Sequence, residues 1–179
     1  MGKVILVNEL DEELGVMEKM QAHRLGSLHR AFSVFVFNEK NELLIQQRAK
    51  SKYHSGGLWS NTCCSHPRQG ENLVDSAERR LIEEMGFTTP LSKQFDFIYR
   101  KRLDKGLCEH EFDHVFVGKY EGGIKINPAE VEGFKYVNVQ QLITNIQKFP
   151  ENYTEWFKIS LPRVISNLDK YLEDLNKAS

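Results

Sequence analysis

The sequence predicts an α/β protein in which a mixed β-sheet is flanked by α-helices. Two observations carry this prediction: runs of β-branched and aromatic residues recur along the chain, and segments with apolar residues at helical spacing are intermixed with them. Strands and helices arranged in this way are typical of a layered α/β domain. A chain of 179 residues, 40% of them hydrophobic, can bury one core, so we expect a single domain over residues 1–179.

Six segments have the composition of β-strands. The second and third are joined by the polar turn residues NEKN, which predicts a hairpin. The fourth and fifth lie on either side of Asp104-Lys105-Gly106, a second turn signal. The six segments are 3–8, 32–38, 42–48, 95–103, 107–120 and 134–139.

Three segments are predicted to be helical. Apolar residues recur every four positions from Leu73 to Met85, and Gly86 supplies a C-terminal stop, which predicts a helix over 73–85. The segment 138–149 is expected to form a second helix. Near the end of the chain, apolar residues at helical spacing predict a helix that begins after Pro162. These residues are Val164, Leu168, Leu172 and Leu175.

Composition and charge argue against several classes of partner. The formal net charge is −1, no block of basic residues suggests nucleic acid, and no apolar run is long enough to span a bilayer. The N-terminal segment lacks the basic region, long apolar core and cleavage site of a secretory signal. We therefore expect a cytoplasmic protein with no nucleic-acid or membrane partner. The three cysteines lack the spacing of a disulfide framework and are predicted to be thiols.

The segment from Ser65 to Phe87 resembles the phosphate-handling helix of diphosphate hydrolases, except at two positions. The hydrolase pattern, the Nudix box, is Gly, five residues, Glu, seven residues, Arg-Glu, an aliphatic residue, any residue, Glu-Glu, any residue, Gly and an aliphatic residue. Ser65 takes the place of the first Gly, and Arg80 takes the place of the Glu that follows Arg. The residues in register are Glu71, Arg79, Leu81, Glu83, Glu84, Gly86 and Phe87.

The replacement at position 80 changes what this helix can do. Glu83 and Glu84 can hold Mg²⁺, which prefers oxygen ligands and is often bound together with substrate phosphates. Arg80 can grip the same phosphates bidentately. Losing a carboxylate that helps to activate water, while gaining a phosphate-binding cation, favours holding a diphosphate over cutting it. The alternative is that Arg80 and Glu84 are only an ion pair on a solvated helix face.

A second group of polar residues supports a metal site. Glu109 and Glu111 alternate along a predicted strand and so project from the same face. With His23, His29 and His66 they make a nitrogen and oxygen donor set suited to Zn²⁺, Mn²⁺ or Mg²⁺. The spacing leaves alternatives open: a solvated edge for the two acids, and ordinary core or surface roles for the histidines.

Four segments resemble, in order and spacing, type I isopentenyl-diphosphate Δ-isomerase. They are AHRLGSLHRAFSVFVFN, LWSNTCCSHPRQGE, the Arg80-containing box and CEHEF. The resemblance extends from about Lys3 to Lys158. It implies a Nudix-like mixed sheet flanked by helices. It also implies the interconversion of isopentenyl diphosphate and dimethylallyl diphosphate in isoprenoid biosynthesis, in which the diphosphate is a handle and the hydrocarbon reacts.

The resemblance further implies roles for particular residues. Cys64 and Glu111 would be the catalytic pair, with Tyr99 beside Glu111, and a thiol near metals and cations is expected to have a low pKa. Glu84 would hold a Mg²⁺ that bridges the substrate diphosphate, and Trp156 would lie over the isoprenyl group. The diphosphate oxygens would be contacted by Lys19, Arg48, Lys52 and Arg80. A second divalent metal, Mn²⁺, Zn²⁺ or Mg²⁺, would be bound by His23, His29, His66, Glu109 and Glu111.

Two other functions share part of this pattern. An ordinary Nudix hydrolase acting on a nucleoside diphosphate derivative would keep the fold and Mg²⁺. It leaves the CCSH and CEHE motifs unexplained, however, and lacks the Glu that Arg80 replaces. A non-catalytic ligand-binding module would have no need of Cys64, Tyr99 and Glu111.

Overall fold

A mixed sheet of nine strands lies at the centre of the protein in the computed structural model, which describes residues 2–166. The strands are β1 (Lys3–Val7), β2 (Glu13–Glu18), β3 (His29–Phe37), β4 (Leu43–Arg48), β5 (Trp59–Ser60), β6 (Cys63–Ser65), β7 (Leu91–Arg102), β8 (Cys108–Lys119) and β9 (Val131–Val137). Within the same residues the α-helices are α1 (Lys19–Leu25), α2 (Leu73–Met85), α3 (Val139–Lys148) and α4 (Glu155–Ser166). The predicted α/β class, a mixed sheet flanked by helices, is confirmed.

Strand β3 organises the sheet because it pairs along both of its edges. On one edge it runs parallel to β8, in register from His29 with Glu111 to Phe37 with Lys119. On the other edge β4 and β6 pair with it antiparallel. Strand β7 extends the sheet beyond β8, and β9 pairs with β4. The chain therefore brings its first third and its middle into direct contact at the centre of the sheet.

Alternation along β3 builds a core on each face of the sheet. Phe32, Val34 and Val36 pack in one cluster with the buried residues of α2. Phe35 and Phe37 point to the opposite face and pack with α3 and α4. The sheet is thus a central layer between one helix on one side and two on the other.

The predicted hairpin between β3 and β4 is confirmed, and its turn explains it. The side-chain oxygen of Asn38 accepts hydrogen bonds from the backbone N–H groups of Lys40 and Glu42, at 3.0 and 2.9 Å. Asn41 adopts the left-handed conformation, with φ 57°. An Asn side chain that bonds the backbone ahead of it, followed by a left-handed Asn, stabilises a tight turn.

Helix α2 has the predicted bounds, 73–85. At its start the side chain of Asn72 accepts a hydrogen bond from the backbone N–H of Val74 at 2.8 Å. At its end Gly86 is left-handed, with φ 75°, and a side chain there would collide with the carbonyl of Lys125. Both ends are therefore fixed by the residues that the sequence provides.

The prediction of a helix that begins after Pro162 is wrong. Helix α4 begins at Glu155, and Pro162 lies inside it on its exposed side. The helix starts earlier because Trp156, Phe157 and Leu161 already form its buried face. Three residues of that prediction lie outside the described residues: Leu168, Leu172 and Leu175.

Four short elements were not predicted, namely β2, α1, β5 and β6. Strands β5 and β6 have only two and three residues, which is too short for a periodic pattern. The three cysteines are all free thiols in this structure. Among the helices of residues 2–166, none combines the length and the apolar character needed to cross a membrane.

An ion pair between Glu71 and Arg79 joins the segment before α2 to the helix. This ion pair predicts that the stability of the fold decreases in acid. Glu71 accepts hydrogen bonds from Arg79 Nε at 2.6 Å and from the Ser76 hydroxyl at 2.7 Å. The Arg79 hydrogen bonds lower the pKa of Glu71 from 4.5 to about 2. Because the folded-state pKa is the lower one, the stabilisation is complete above about pH 4.5 and is lost as the pH falls towards 2.

We expect the melting temperature of Glu71→Gln, compared with the wild type, to be lowered more at neutral pH than near pH 3, because the wild type itself loses this stabilisation in acid. Calorimetry at the two pH values measures the difference. An equal loss at both would contradict the assignment.

Candidate active site

One face of the sheet changes from apolar to polar along β8. Val115 and Val117 belong to the core under α3 and α4. Glu109, Glu111 and Asp113 occupy the same face nearer the start of the strand, because residues two apart share a face. All three acids are buried, which rules out a solvated edge. Buried carboxylates require hydrogen-bond donors, cations or metals, so this end of the sheet is where a site is expected.

Five residues that the sequence predicted as metal ligands converge at this end. One donor atom from each lies within 4.8 Å of the donor atoms of the others. The parallel pairing of β3 with β8 contributes directly, since it sets His29 beside Glu111. Helix α1 supplies one of the five residues, and the segment after β6 supplies another. The five residues are His23, His29, His66, Glu109 and Glu111.

The histidines of this cluster are oriented as metal ligands. His23 Nδ1 lies 2.7 Å from the Lys19 carbonyl oxygen, and His29 Nδ1 lies 2.8 Å from that of Ser27. A carbonyl only accepts, so each Nδ1 carries the hydrogen and Nε2 of the neutral ring offers a lone pair. Both Nε2 atoms and Glu109 Oε2 are buried without a hydrogen-bond partner among residues 2–166. These orphaned acceptors fit a divalent cation.

Glu111 joins the metal cluster to a potential proton-transfer group. The Tyr99 hydroxyl donates to Glu111 Oε2 at 2.6 Å, and His66 Nε2 lies 3.0 Å from Oε1. Tyr99 pairs with Glu111 across β7 and β8, so the strand register places the two side chains together. This is the position that the resemblance implied for Tyr99.

The two acids of the cluster have opposite pKa shifts. Burial and the charge of Glu109 raise the pKa of Glu111 to about 7. Although burial raises the pKa of Glu109, the His23 and His54 rings beside its carboxylate hold it well below its usual range. Glu111 can therefore take up and release a proton near neutral pH while Glu109 stays ionised.

The two adjacent cysteines of β6 lie on opposite faces of the sheet, as neighbours on a strand must. Cys63 is fully buried in the core under α2. Cys64 faces the α4 side, where it lines a cavity together with Glu111. Trp156 Nε1 donates to the Cys64 sulfur at 3.0 Å. Because of strand alternation, Cys64 and not Cys63 faces the cavity that contains Glu111.

The expectation of a low pKa for this thiol is wrong. Burial, together with the charge of Asp113, raises the pKa of Cys64 to about 12. The side-chain nitrogen of Asn61 donates to the carbonyls of Val34 and Cys63, both at 3.0 Å, so its oxygen is left to accept the Cys64 S–H at 2.9 Å. Cys64 is therefore a protonated thiol at neutral pH.

The cavity beside these groups is lined by the cations that the sequence assigned to a diphosphate. Arg48 and Arg80 each have a buried Nε–H without a partner in the described part of the chain, which leaves a donor for an anion. Burial, with the charge of Lys52, lowers the pKa of Lys19 to about 8. The predicted binding residues found in the lining are Lys19, Arg48, Lys52, Arg80 and Trp156.

Glu84 is not among the residues that line this cavity. It is buried, with one carboxylate oxygen paired to Arg80 and the other accepting from Gln46 at 2.9 Å. Only 16% of the Arg80 side chain and 5% of the Glu84 side chain are exposed, so this is not a solvated surface pair. The assignment of Glu84 to a Mg²⁺ ion stays a prediction.

Sequence reasoning missed four buried residues of the site. The alternation of acids along β8 extends to Asp113 and would have found it. Ser33 donates to Asp113 at 2.8 Å, and Asn61 accepts from the Cys64 thiol at 2.9 Å, but neither has a sequence signal of its own. His54 lies 2.8 Å from Glu109 and stands immediately before the glycine-rich stretch at 55–59, where a histidine was overlooked.

Comparison with known proteins agrees with this geometry. The NUDIX domain profile matches residues 27–157. Isopentenyl-diphosphate Delta-isomerase 2 of Aromatoleum aromaticum is 52% identical over 164 residues, which cover 92% of this chain and 87% of that protein. The isopentenyl-diphosphate Delta-isomerase of Pectobacterium atrosepticum is 48% identical over 162 residues, 90% of each chain.

Solved structures with the same fold are more distant in sequence. DR0079 from Deinococcus radiodurans aligns with a TM-score of 0.75 at 18% identity, over 90% of this chain and 98% of that one. The MutT protein from Methanosarcina mazei aligns with a TM-score of 0.61 at 18% identity, over 76% and 91%. At such identities the likeness shows the fold alone. The profile match and the close relatives show more: this chain belongs to the isopentenyl-diphosphate Delta-isomerases of the NUDIX domain family.

Proposed function

We propose that this protein converts isopentenyl diphosphate into dimethylallyl diphosphate, and that Cys64 and Glu111 carry the two proton transfers. The reaction moves a double bond by one carbon. One proton adds to the terminal methylene, and one proton leaves the carbon nearer the diphosphate, so atoms and charge balance. No electrons are gained or lost, and the enzyme needs only two proton-transfer groups and a way to hold the substrate.

The observation that carries the proposal is the meeting of the Cys64 thiol and the Glu111 carboxyl in one cavity. Their surroundings differ: the Cys64 thiol donates to Asn61, whereas Glu111 accepts a hydrogen bond from the Tyr99 hydroxyl. Because the isomerisation is reversible, each group gives a proton in one direction and takes one in the other. Tyr99 can relay the proton at Glu111.

Trp156 is placed to stabilise the positive charge that develops on the branched carbon. An aromatic face stabilises a desolvated cation by about 2 kcal/mol or more. The ring is 4% exposed, and its Nε1–H donates to Ser60 Oγ and Cys64 Sγ, both at 3.0 Å. Its orientation is therefore fixed, and its burial keeps water away from a carbocation that water would destroy.

Divalent metals fit two parts of this scheme. The cluster of three histidines with Glu109 and Glu111 would hold one ion, which would supply a positive charge that lowers the pKa of Glu111. We assign Mn²⁺, Zn²⁺ or Mg²⁺ to this cluster, and Mg²⁺ to the substrate diphosphate beside Glu84. We treat residues 1–179 as one isomerase domain, which agrees with a single sheet formed from residue 3 to residue 137.

The test of the function is an NMR experiment on purified protein with Mg²⁺ and isopentenyl diphosphate in deuterated water. We expect dimethylallyl diphosphate that carries deuterium in a methyl group, with no free phosphate. Phosphate release from a panel of nucleoside diphosphate derivatives, with no isomerised carbon, would favour a hydrolase. Diphosphate binding without turnover would favour a binding module.

Arg80 is expected to bind the diphosphate, so Arg80→Ala should weaken substrate binding roughly ten- to a hundredfold. This corresponds to one charge-assisted hydrogen bond of about 1.5 to 3 kcal/mol. Its Nε–H is the donor left free in the described structure. Isothermal titration with isopentenyl diphosphate and Mg²⁺ measures the affinity.

Arg79→Ala is the matched control for this measurement. Arg79 is the neighbouring arginine of α2, but it pairs with Glu71 and Glu83 and does not line the cavity. We expect this variant to lose thermal stability and keep its affinity for substrate. If Arg80→Ala also keeps its affinity, Arg80 is only an ion-pair partner of Glu84, and its role in binding is refuted.

A further inference from the structure

His54 is a buried residue of the site with no part in the chemistry proposed above. It lies between β4 and β5 and is 1% exposed. Its Nε2 atom is 2.8 Å from Glu109 Oε1. Nε2 is buried, and within residues 2–166 no other acceptor lies within hydrogen-bonding reach of it. The carboxylate of Glu109 is therefore the partner that the fold provides for it.

His54 does not belong to the ligand cluster itself. The five donor atoms of that cluster all lie within 4.8 Å of one another, and His54 is not among them. Its polar contact is with Glu109, whose Oε1 also lies 3.5 Å from His23 Nε2, and its ring lies beside that of His23, with centroids 5.7 Å apart. The Glu109 carboxylate is therefore the polar group through which His54 can influence a bound ion.

The surroundings of His54 place its hydrogen on Nε2. The other ring nitrogen, Nδ1, lies 3.2 Å from the Ser55 hydroxyl, which can donate to it. The Glu109 carboxylate can only accept, so the hydrogen of the neutral ring belongs on Nε2. The two atoms are within hydrogen-bond distance, at 2.8 Å, but the N–H is not aligned with the carboxylate oxygen in this structure.

The rest of the residue is held in place from two sides. The ring packs edge-on against Trp156, with centroids 5.8 Å apart and an interplanar angle of 83°. Arg48 Nη2 donates to the backbone carbonyl of His54 at 3.3 Å. A donor fixed in this way can fix the acceptor that it contacts.

We propose that His54 is a positioning residue that donates a hydrogen bond to Glu109 and so holds this carboxylate in its metal-binding orientation. This inference rests on the metal site of the proposed function. Groups that hydrogen-bond to metal ligands orient them, and losing such a group typically weakens metal binding by about 10- to 100-fold. His54 leaves the proton transfers to Cys64 and Glu111.

The experiment measures the affinity for Mn²⁺ of wild type, His54→Ala and His54→Gln, by electron paramagnetic resonance in the absence of substrate. The side-chain amide of Gln can replace the Nε2 donor, whereas Ala cannot. We expect His54→Ala to bind Mn²⁺ about 10- to 100-fold more weakly than wild type. His54→Gln should stay within a few-fold of wild type, and the isomerase activity of His54→Ala should recover at saturating metal.

Two results would overturn the inference. One is an affinity for Mn²⁺ in His54→Ala equal to that of wild type. The other is an affinity in His54→Gln as weak as in His54→Ala, which would mean that the donor is not what matters. If His54→Ala does not fold, His54→Leu, which keeps most of the side-chain volume, takes its place.

The wild-type arm separates this inference from the proposals on which it rests. A wild-type protein that binds no Mn²⁺ would overturn the metal site and the role of His54 together. A protein that binds Mn²⁺ with the expected order of affinities, yet does not isomerise its substrate in deuterated water, would overturn the proposed function and leave the role of His54 standing.

Discussion

Cys64→Ala is expected to lower kcat by about 10²- to 10⁴-fold while substrate affinity stays within a few-fold of wild type. A single acid or base in proton transfer contributes a rate effect of this size. The affinity should survive because the cations assigned to the diphosphate are untouched. Steady-state kinetics and isothermal titration on the same preparation separate the two quantities.

Cys63→Ala is the control, because it removes the same sulfur one residue away. The Cys63 side chain lies in the core under α2, on the opposite face of the sheet. We expect Cys63→Ala to lower the free energy of unfolding by about 1 kcal/mol, because it leaves a small cavity in the core, and to change kcat little. Equal losses of kcat in the two variants, or an active Cys64→Ala, would refute the assignment of the catalytic thiol.

Glu111→Gln is expected to have an effect at least as large, because Glu111 has two roles. It accepts the hydrogen bond of Tyr99, and it belongs to the metal cluster. Because Glu111 is the proposed second proton-transfer group, Glu111→Gln should lower kcat by about 10²- to 10⁴-fold. This decrease should persist at saturating metal concentration. Kinetics over a range of Mg²⁺ and Mn²⁺ concentrations, with metal content from elemental analysis, measure both roles.

Glu109→Gln separates the two roles of its neighbour. It removes a ligand from the same cluster but leaves the carboxyl beside Tyr99 intact. We expect this variant to lose bound metal and to regain much of its activity when metal is supplied in excess. If excess metal restores Glu111→Gln to the same extent, then Glu111 acts only as a ligand, and its role in proton transfer is wrong.

Local patterns predicted those parts of the molecule that carry their own signal. Helix α2 has a cap, an apolar period and a glycine stop, and its bounds were predicted correctly. Glu109 and Glu111 were placed on one face by strand alternation, and they share it. Convergence with the histidines could not be derived from spacing. It depends on the pairing of β3 with β8, and only the family resemblance implied it.

The predictions that failed depended on surroundings that sequence does not display. The pKa of Cys64 was expected to be low because cations are near, but burial and Asp113 outweigh them and raise it. Helix α4 was expected to begin after Pro162, because the apolar residues from Trp156 onwards were not recognised as its buried face. His54 was overlooked because its role comes from a contact with Glu109, which lies on a distant strand.

The parallel pairing of β3 with β8 also governs how the protein can be made. It joins residue 29 to residue 111, and closing so long a loop costs chain entropy before the new contacts can offset it. Chains dominated by such non-local pairings fold slowly, in roughly milliseconds to seconds. During synthesis, His23, His29 and His66 therefore emerge long before the two carboxylates that complete their cluster. A growing chain that ends before β8 lacks both Glu109 and Glu111, so the five-residue cluster can form only after β8 has been made.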